Sequence, residues 1–412
     1  MDSRALAGAL RWVLFAACVA LPAWLWPHGA MLGYLAQTAA LVVLALSYNL
    51  QLGTTGLLSF GHAAFAGLGA FAAAHWFNRV GGPLPLLPLV GGVAGAGFGF
   101  IAGLLATRRA GTVFAMITLG LAECVAAAAW SVPAWFGGLG GVPIDRASGS
   151  PWGGWQFGAP AQAYAVIAAW CIVSALAMRA LTRTPLARLA NAVRDNPARV
   201  AALGTEPRRV RLAMVTCASF FAGIAGTLTL IDVEIATPDS LSMARSATVL
   251  IAAVIAAVIG GTGTFFGPAA GAVVLTALSV VVAGVSRAWA LYLGVLFVVV
   301  VVAAPGGIAG LAQTLAHALR RDAPAAERWR VLCGVGACVF WGVAIVCAAE
   351  LGYAWRFAQD DGAGTAFGAW GIDADAPAGW VVACSAAGIG MLLWGWRARL
   401  MHPGHGKRED GR

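Results

Sequence analysis

The sequence predicts an all-α, polytopic membrane protein, and three observations carry that expectation. Of 412 residues, 60% are apolar and only 10% are charged, far outside the composition of soluble domains. Apolar runs of near-membrane length recur from end to end, and the arginines cluster between them instead of forming one basic face. Twelve runs approach the roughly 20 apolar residues that cross a hydrocarbon core of about 30 Å: 10–26, 31–52, 57–76, 84–106, 113–130, 161–181, 212–231, 246–259, 266–285, 289–303, 331–349 and 378–396.

The first run follows Arg4 and Arg11 and ends without an A-x-A-like cleavage site, so residues 1–30 are expected to stay as an anchor. Threading the chain from a cytoplasmic N-terminus leaves five basic residues outside: Arg79, Arg146, Arg245, Arg287 and Arg356. The other 21 of the 26 Lys and Arg residues then fall inside, as the positive-inside rule requires, and both termini are cytoplasmic. Trp26, Trp76, Trp130 and Trp289 stand at span ends, where interfacial anchors belong.

Several function classes are excluded. The net charge of +9 is dispersed between spans, which argues against nucleic acid binding. The eight cysteines lie in apolar stretches with no CxxC and no histidine at metal-ligand spacing, so they read as small apolar fillers, and no metal or cofactor is expected. No Walker A motif is present, and the single lysine, Lys407, lies in the C-terminal tail. No nucleophile paired with a base, no paired intramembrane carboxylates and no HExxH occur, so the chain is not expected to be an enzyme.

Two Gly-rich breaks interrupt the apolar pattern, "LGTTG" at 52–56 and "GGTG" at 260–263. Interrupted spans point to a substrate path in transporters, so Asn49, Gln51, Ser59 and His62 at the first break and Gly260, Gly261 and Gly263 at the second are candidate path or gate residues. "SFGHAAFAG" (59–67) and "FFGPAAGA" (265–272) hint at an internal repeat. His62 can bond backbone carbonyls freed by the break, a structural role that precedes any proton transfer. Glu123 is a carboxylate near the middle of a span, where an ionised acid costs about 2.5–3.5 kcal/mol on insertion scales. It is either a polar group beside a path or one end of a buried helix-to-helix hydrogen bond. The neutral, Gly- and Trp-rich loop 131–160 and the acidic residues Asp232, Glu234 and Asp239 are candidate outer faces for a binding protein, or ordinary solvated loop.

The longest internal cytoplasmic loop, "RTPLARLANAVRDNPARVAALGTEPRRVR" (183–211), carries seven arginines against Asp195 and Glu206. Thr184-Pro185 and Asn196-Pro197 each read as an N-cap followed by proline at the first helical position, and Gly204 sits where a C-cap belongs. The result is a short helix along the membrane surface, serving as an interfacial anchor or as a dock for a cytoplasmic partner.

These motifs, in this order, resemble the LivM-type permease subunits of branched-chain amino acid ABC importers. The resemblance covers roughly residues 30–311. "YNLQLGTTGLLSFGHAAFAGLGAF" (48–71), "RRAGTVFAMITLGLAE" (108–123), "FGGLGGVP" (136–143) and "AVIGGTGTFFGPAAGA" (257–272) carry it, together with "RTPLARLANAVRDNPARVAALG". Asp195 and Pro197 depart from the glutamates the family usually shows, and the late "PGG" at 305–307 lacks the family's arginine. The family usually ends near the position of Leu311, whereas this chain continues through an acidic external loop and two more candidate spans.

The resemblance implies about ten core transmembrane helices of the LivM/LivH permease type within 31–311, and a C-terminal extension, 312–412, adding about two. It implies a coupling segment at 182–210, with Arg194, Asp195, Asn196, Pro197, Ala201, Ala202, Leu203 and Gly204 entering a cleft on an ATPase. The implied partners are a LivH-type permease subunit, two ABC ATPase subunits of the LivG/LivF type, a periplasmic or lipid-anchored substrate-binding protein, and membrane lipid. The implied function is translocation of branched-chain amino acids across the inner membrane. A urea or short-amide importer is the alternative within the family, and a secondary transporter the alternative outside it.

Overall fold

The computed structural model describes residues 12–13, 15–20, 29–242, 246–247, 265, 267–285, 291–292, 294, 325–357 and 377–401. The chain forms two compact units, Met1–Thr276 and Ala277–Arg412.

In the first unit, α1 (Gly29–Thr55) is followed by a break and then by α2 (His62–Val80). A turn at Leu84–Leu86 leads into α3 (Leu87–Ala106), and α4 (Thr112–Ser131) returns after Gly111. A single helical turn, α5 (Pro133–Phe136), and the strand β1 (Val142–Pro143) lie in the loop before α6 (Pro160–Thr182). Two surface helices, α7 (Pro185–Asp195) and α8 (Pro197–Ala202), lead to α9 (Pro207–Val233). Strand β2 (Ile235–Ala236) pairs antiparallel with β1, Val142 opposite Ala236. Helix α10 (Gly267–Val285) begins in this unit and adds Ala269 and Ala272 to its core. Proline opens α5, α6, α7, α8 and α9, where its missing N–H costs no intrahelical bond.

Helix α9 is the centre of the unit and packs on α1, α2 and α3. The crossing is built from glycine. Gly91, Gly95 and Gly99 of α3 meet Thr227, Gly223 and Ser219 of α9, and a Cβ on Gly95 would stand 2.6 Å from the Ser219 carbonyl oxygen. A Cβ on Gly69 of α2 would stand 2.7 Å from Gly223 Cα. Three backbones are therefore in mutual contact. In a bilayer, where lipid is as apolar as leucine, such close approach is what favours one helix pairing over another.

The second unit contains α11 (Ala325–Phe357) and α12 (Pro377–Met401), packed as a pair. Gly390 lies under the indole of Trp341, Gly379 meets Leu351, and Trp341 and Trp394 have ring centroids 5.6 Å apart. Buried Glu350 accepts a hydrogen bond from the Tyr292 hydroxyl.

Among the described residues, seven helices are long and apolar enough to cross a membrane: α1, α3, α4, α6, α9, α11 and α12. The architecture is that of an all-α multi-pass protein. The expected spans 246–259 and 289–303 fall almost wholly outside the described residues, and 10–26 partly so. The expected span 57–76 starts later and runs further, as α2, because Leu57 to Gly61 are held out of the helix by side-chain bonds from α1 and α4. All eight cysteines are free.

Candidate functional site

The first break is a polar knot between three helices. Thr54 and Thr55 turn their hydroxyls back onto the carbonyls of Leu50 (2.5 Å) and Gln51 (2.6 Å), and Gly56 takes the left-handed φ of 68° that ends α1. Gln51 Nε2 donates to the Leu57 carbonyl at 3.5 Å, and Phe60 N–H donates to Thr118 Oγ1 of α4 at 3.3 Å. Ser59 Oγ accepts from Gly61 N–H at 3.3 Å. A Cβ on Gly61 would stand 2.7 Å from the Thr118 carbonyl oxygen, so only glycine lets α4 approach there.

His62 opens α2 and is wholly buried. Ser47 Oγ donates to the Leu44 carbonyl at 2.7 Å, so its 2.8 Å contact with His62 Nε2 makes the ring nitrogen the donor. Tyr48 and Phe65 flank the imidazole edge-on at 5.2 and 6.2 Å. The ring thus staples α1 to α2. The buried Nδ1 of His62 and Oε1 of Gln51 have no hydrogen-bond partner among the described residues. Asn49 is half-buried, its amide oxygen beside Gly53. Gly260, Gly261 and Gly263 lie outside the described residues.

Glu123 is exposed on α4 between Gly120 and Ala127, on the face that carries Met116, and has no partner among the described residues. The buried helix-to-helix bond is therefore not made within them.

The surface segment folds as two helices. Thr184 Oγ1 accepts from Ala187 N–H at 3.5 Å and Asn196 Oδ1 from Arg199 N–H at 3.0 Å, so both caps form. Gly204, at φ 83°, follows the last turn, and its N–H bonds the Ala201 carbonyl at 3.0 Å. Ala187, Ala190, Val193 and Val200 turn inward. Arg194, Asp195, Asn196, Pro197, Ala201, Ala202, Leu203 and Gly204 face out, Leu203 at 79% exposure. The segment is tethered to the break, because Arg194 Nη1 donates to the Gly53 carbonyl at 2.6 Å and the same side chain lies against Gly56. Composition revealed the arginines, but nothing in the local sequence singled out this tether.

At the opposite end of the helices the loops interlock. Asn78 donates to the Pro143 carbonyl at 2.9 Å, Ser150 to that of Gly81 at 2.7 Å, and Arg146 pairs with Glu234 at 2.6 Å. Beyond β2 the chain turns inward along α2, and buried Leu241 packs on Gly67.

Break, surface helices and tether together define a polytopic helical membrane protein with an exposed, capped element fastened to an interrupted span. The family described as "Branched-chain amino acid transport system / permease component" matches residues 30–305, and the chain belongs to it. It is 29% identical over 296 residues to the high-affinity branched-chain amino acid transport system permease protein LivM of Salmonella typhimurium (strain LT2), across 66% of this chain and 68% of that protein. It is 30% identical over 269 residues to the protein of the same name from Escherichia coli (strain K12), across 60% of each. No solved structure matches it.

Proposed function

We propose that the chain is the transmembrane permease subunit of an ABC importer that passes branched-chain amino acids across the cytoplasmic membrane. Family membership over residues 30–305 carries the reading. The partners are a second permease of LivH type, two ATPase subunits and a substrate-binding protein at the outer face. Residues 31–311 form the permease core, and 312–412 add a pair of helices.

The arginines support the orientation. Arg183, Arg188, Arg194, Arg199, Arg208, Arg209 and Arg211 belong to the end where Arg194 meets Gly53 and Arg208 meets the Leu104 carbonyl, and Arg108 and Arg109 follow α3 there. Arg79 and Arg146 stand at the other end. That asymmetry favours a cytoplasmic face at α7 and α8. In this reading α8 and Gly204 dock on the ATPase, and Arg194 passes its movement to the break. Asn49, Gln51, Ser59 and His62 shape the gate, with the second break completing it.

Glu123 stands beside the path. Lipid cannot take its carboxylate without a cost of about 2.5–3.5 kcal/mol, so this face of α4 meets water or the second permease. In a chain whose native cysteines are replaced by alanine, Glu123→Cys is expected to react with a hydrophilic maleimide, in the assembled transporter or after the second permease is removed. Lack of reaction in both states would place the residue in lipid and remove it from the path.

The function is tested by uptake of labelled leucine, with and without excess urea, into vesicles containing the chain and its partners. The double variant Ala201→Asp, Gly204→Pro serves as the comparison, since proline cannot take φ 83° and aspartate adds charge to the exposed docking face. The expected result is ATP-dependent leucine uptake, lost in the variant at equal membrane abundance. Inhibition by urea would favour the amide importer. Uptake that follows an ion gradient and ignores ATP would support a secondary transporter instead.

A further inference from the structure

Helices α1, α2 and α9 and the chain beyond β2 line a partly open cavity of about 250 Å³. One wall includes the single helical turn Pro238–Leu241, which carries Asp239 and Ser240. Leu241 packs on Gly67, which lies in the second turn of α2 and about 20 Å from the Val80 end at 1.5 Å per residue. The segment between β2 and Leu241 therefore descends well into the bilayer. So short a turn leaves most of its backbone groups without intrahelical partners, and at that depth such groups are tolerated only where they are buried in protein or line a wet cavity.

The polar lining is Thr229, Thr237, Asp239 and Ser240. Thr229 Oγ1 already donates to the Ala225 carbonyl at 3.2 Å and Ser240 Oγ to that of Thr237 at 2.7 Å, so both hydroxyls offer lone pairs. Exposed Asp239 adds a carboxylate with no ion-pair partner among the described residues, and no basic side chain is among the described residues that line the cavity. The helical wall, with Leu44, Ala66, Ala70 and Leu230, is apolar apart from Thr229. Acceptors at Thr237, Asp239 and Ser240 beside a mostly aliphatic helical wall suit an ammonium group attached to a branched aliphatic chain.

We infer that this cavity is a binding station for an aliphatic amino acid, with Asp239 receiving its ammonium group and the α1–α2–α9 wall its side chain. The inference rests on the permease reading and names a site within it. Among the described residues Arg146 does not compete for the carboxylate, because it is engaged by Glu234 and the Ile231 carbonyl.

The test is equilibrium binding of labelled leucine to the full-length chain, purified with its permease and ATPase partners in lipid nanodiscs. ATP-driven leucine uptake is measured on the same preparations after adding the binding protein. Leucinamide, which keeps the ammonium, is expected to displace leucine, and 4-methylpentanoate, which lacks it, is not. Asp239→Asn is expected to weaken leucine binding by roughly tenfold or more, the scale of one charge-assisted hydrogen bond. Asp239→Glu should restore part of the loss, and Ala70→Leu should weaken binding by occupying the cavity. Unchanged affinity in Asp239→Asn, or equal displacement by both analogues, in a preparation that takes up leucine normally would overturn the cavity assignment alone. A wild-type transporter that takes up no leucine would overturn the permease reading and this site with it.

Discussion

Replacing Gly223 with valine is expected to prevent the first unit from packing, with a loss of about 3 kcal/mol, at the upper end of overpacking effects. The position lies where α2, α3 and α9 cross. Its Cα face rests on the Gly91 carbonyl, and an added Cβ would also stand 3.1 Å from Gly95 Cα. These neighbours are backbone, so none can rotate away. Separating the helices would lose the packing that replaces the hydrophobic effect as the driving force inside a bilayer. The change should lower the amount of full-length chain in the membrane and its thermal transition in detergent. Gly97→Ala, on an exposed part of α3 with open space around it, should leave both nearly unchanged. A Gly223→Val protein as abundant and as heat-resistant as Gly97→Ala would show that the crossing is not tight.

The second large effect is expected at Arg194. Its guanidinium spans from α7 to the Gly53 carbonyl at the end of α1, a charge-assisted bond at 2.6 Å. Its contact with Asp195 is 3.2 Å between side chains 45% and 69% exposed, a surface pair worth little. The bond to Gly53 is therefore the one that matters. If the surface helices transmit ATPase movement to the break, Arg194→Ala should lower leucine uptake about tenfold, within the usual range of coupling free energies. ATP hydrolysis by the assembled complex should persist, because the docking residues remain. Loss of both activities together would point to failed docking, and retention of full uptake would remove Arg194 from the transmission route.

Some of this architecture was legible in particular residues. Thr184-Pro185 and Asn196-Pro197 announced two helix starts, and both caps are made by the residues named. Local chemistry suffices there, since the bonds link residues three apart. The span at 57–76 was misplaced at both edges because its start depends on Gln51 and Thr118, side chains from other helices. The histidine was conspicuous in the sequence, but its partner Ser47 was not, being one of many small polar residues that can sit on a span. Asp239 was grouped with Asp232 and Glu234 as loop charge. The fold separates them, pairing Glu234 with Arg146 and placing Asp239 on a cavity wall.

The sequence by itself determined that this is a multi-pass helical membrane protein with a capped, Arg-rich surface segment. Hydrophobic run length, charge asymmetry and cap chemistry are local properties that no tertiary contact is needed to read. Only the tertiary structure decided which glycines seat the crossing of α2, α3 and α9, that Arg194 reaches Gly53 across 141 residues of chain, and that Asp239 lines a cavity with residues of α1, α2 and α9. The physical reason is that in lipid almost every face of a helix is apolar, so hydrophobic periodicity no longer selects partners. Close backbone approach and a few buried polar bonds make that selection, and both are long-range.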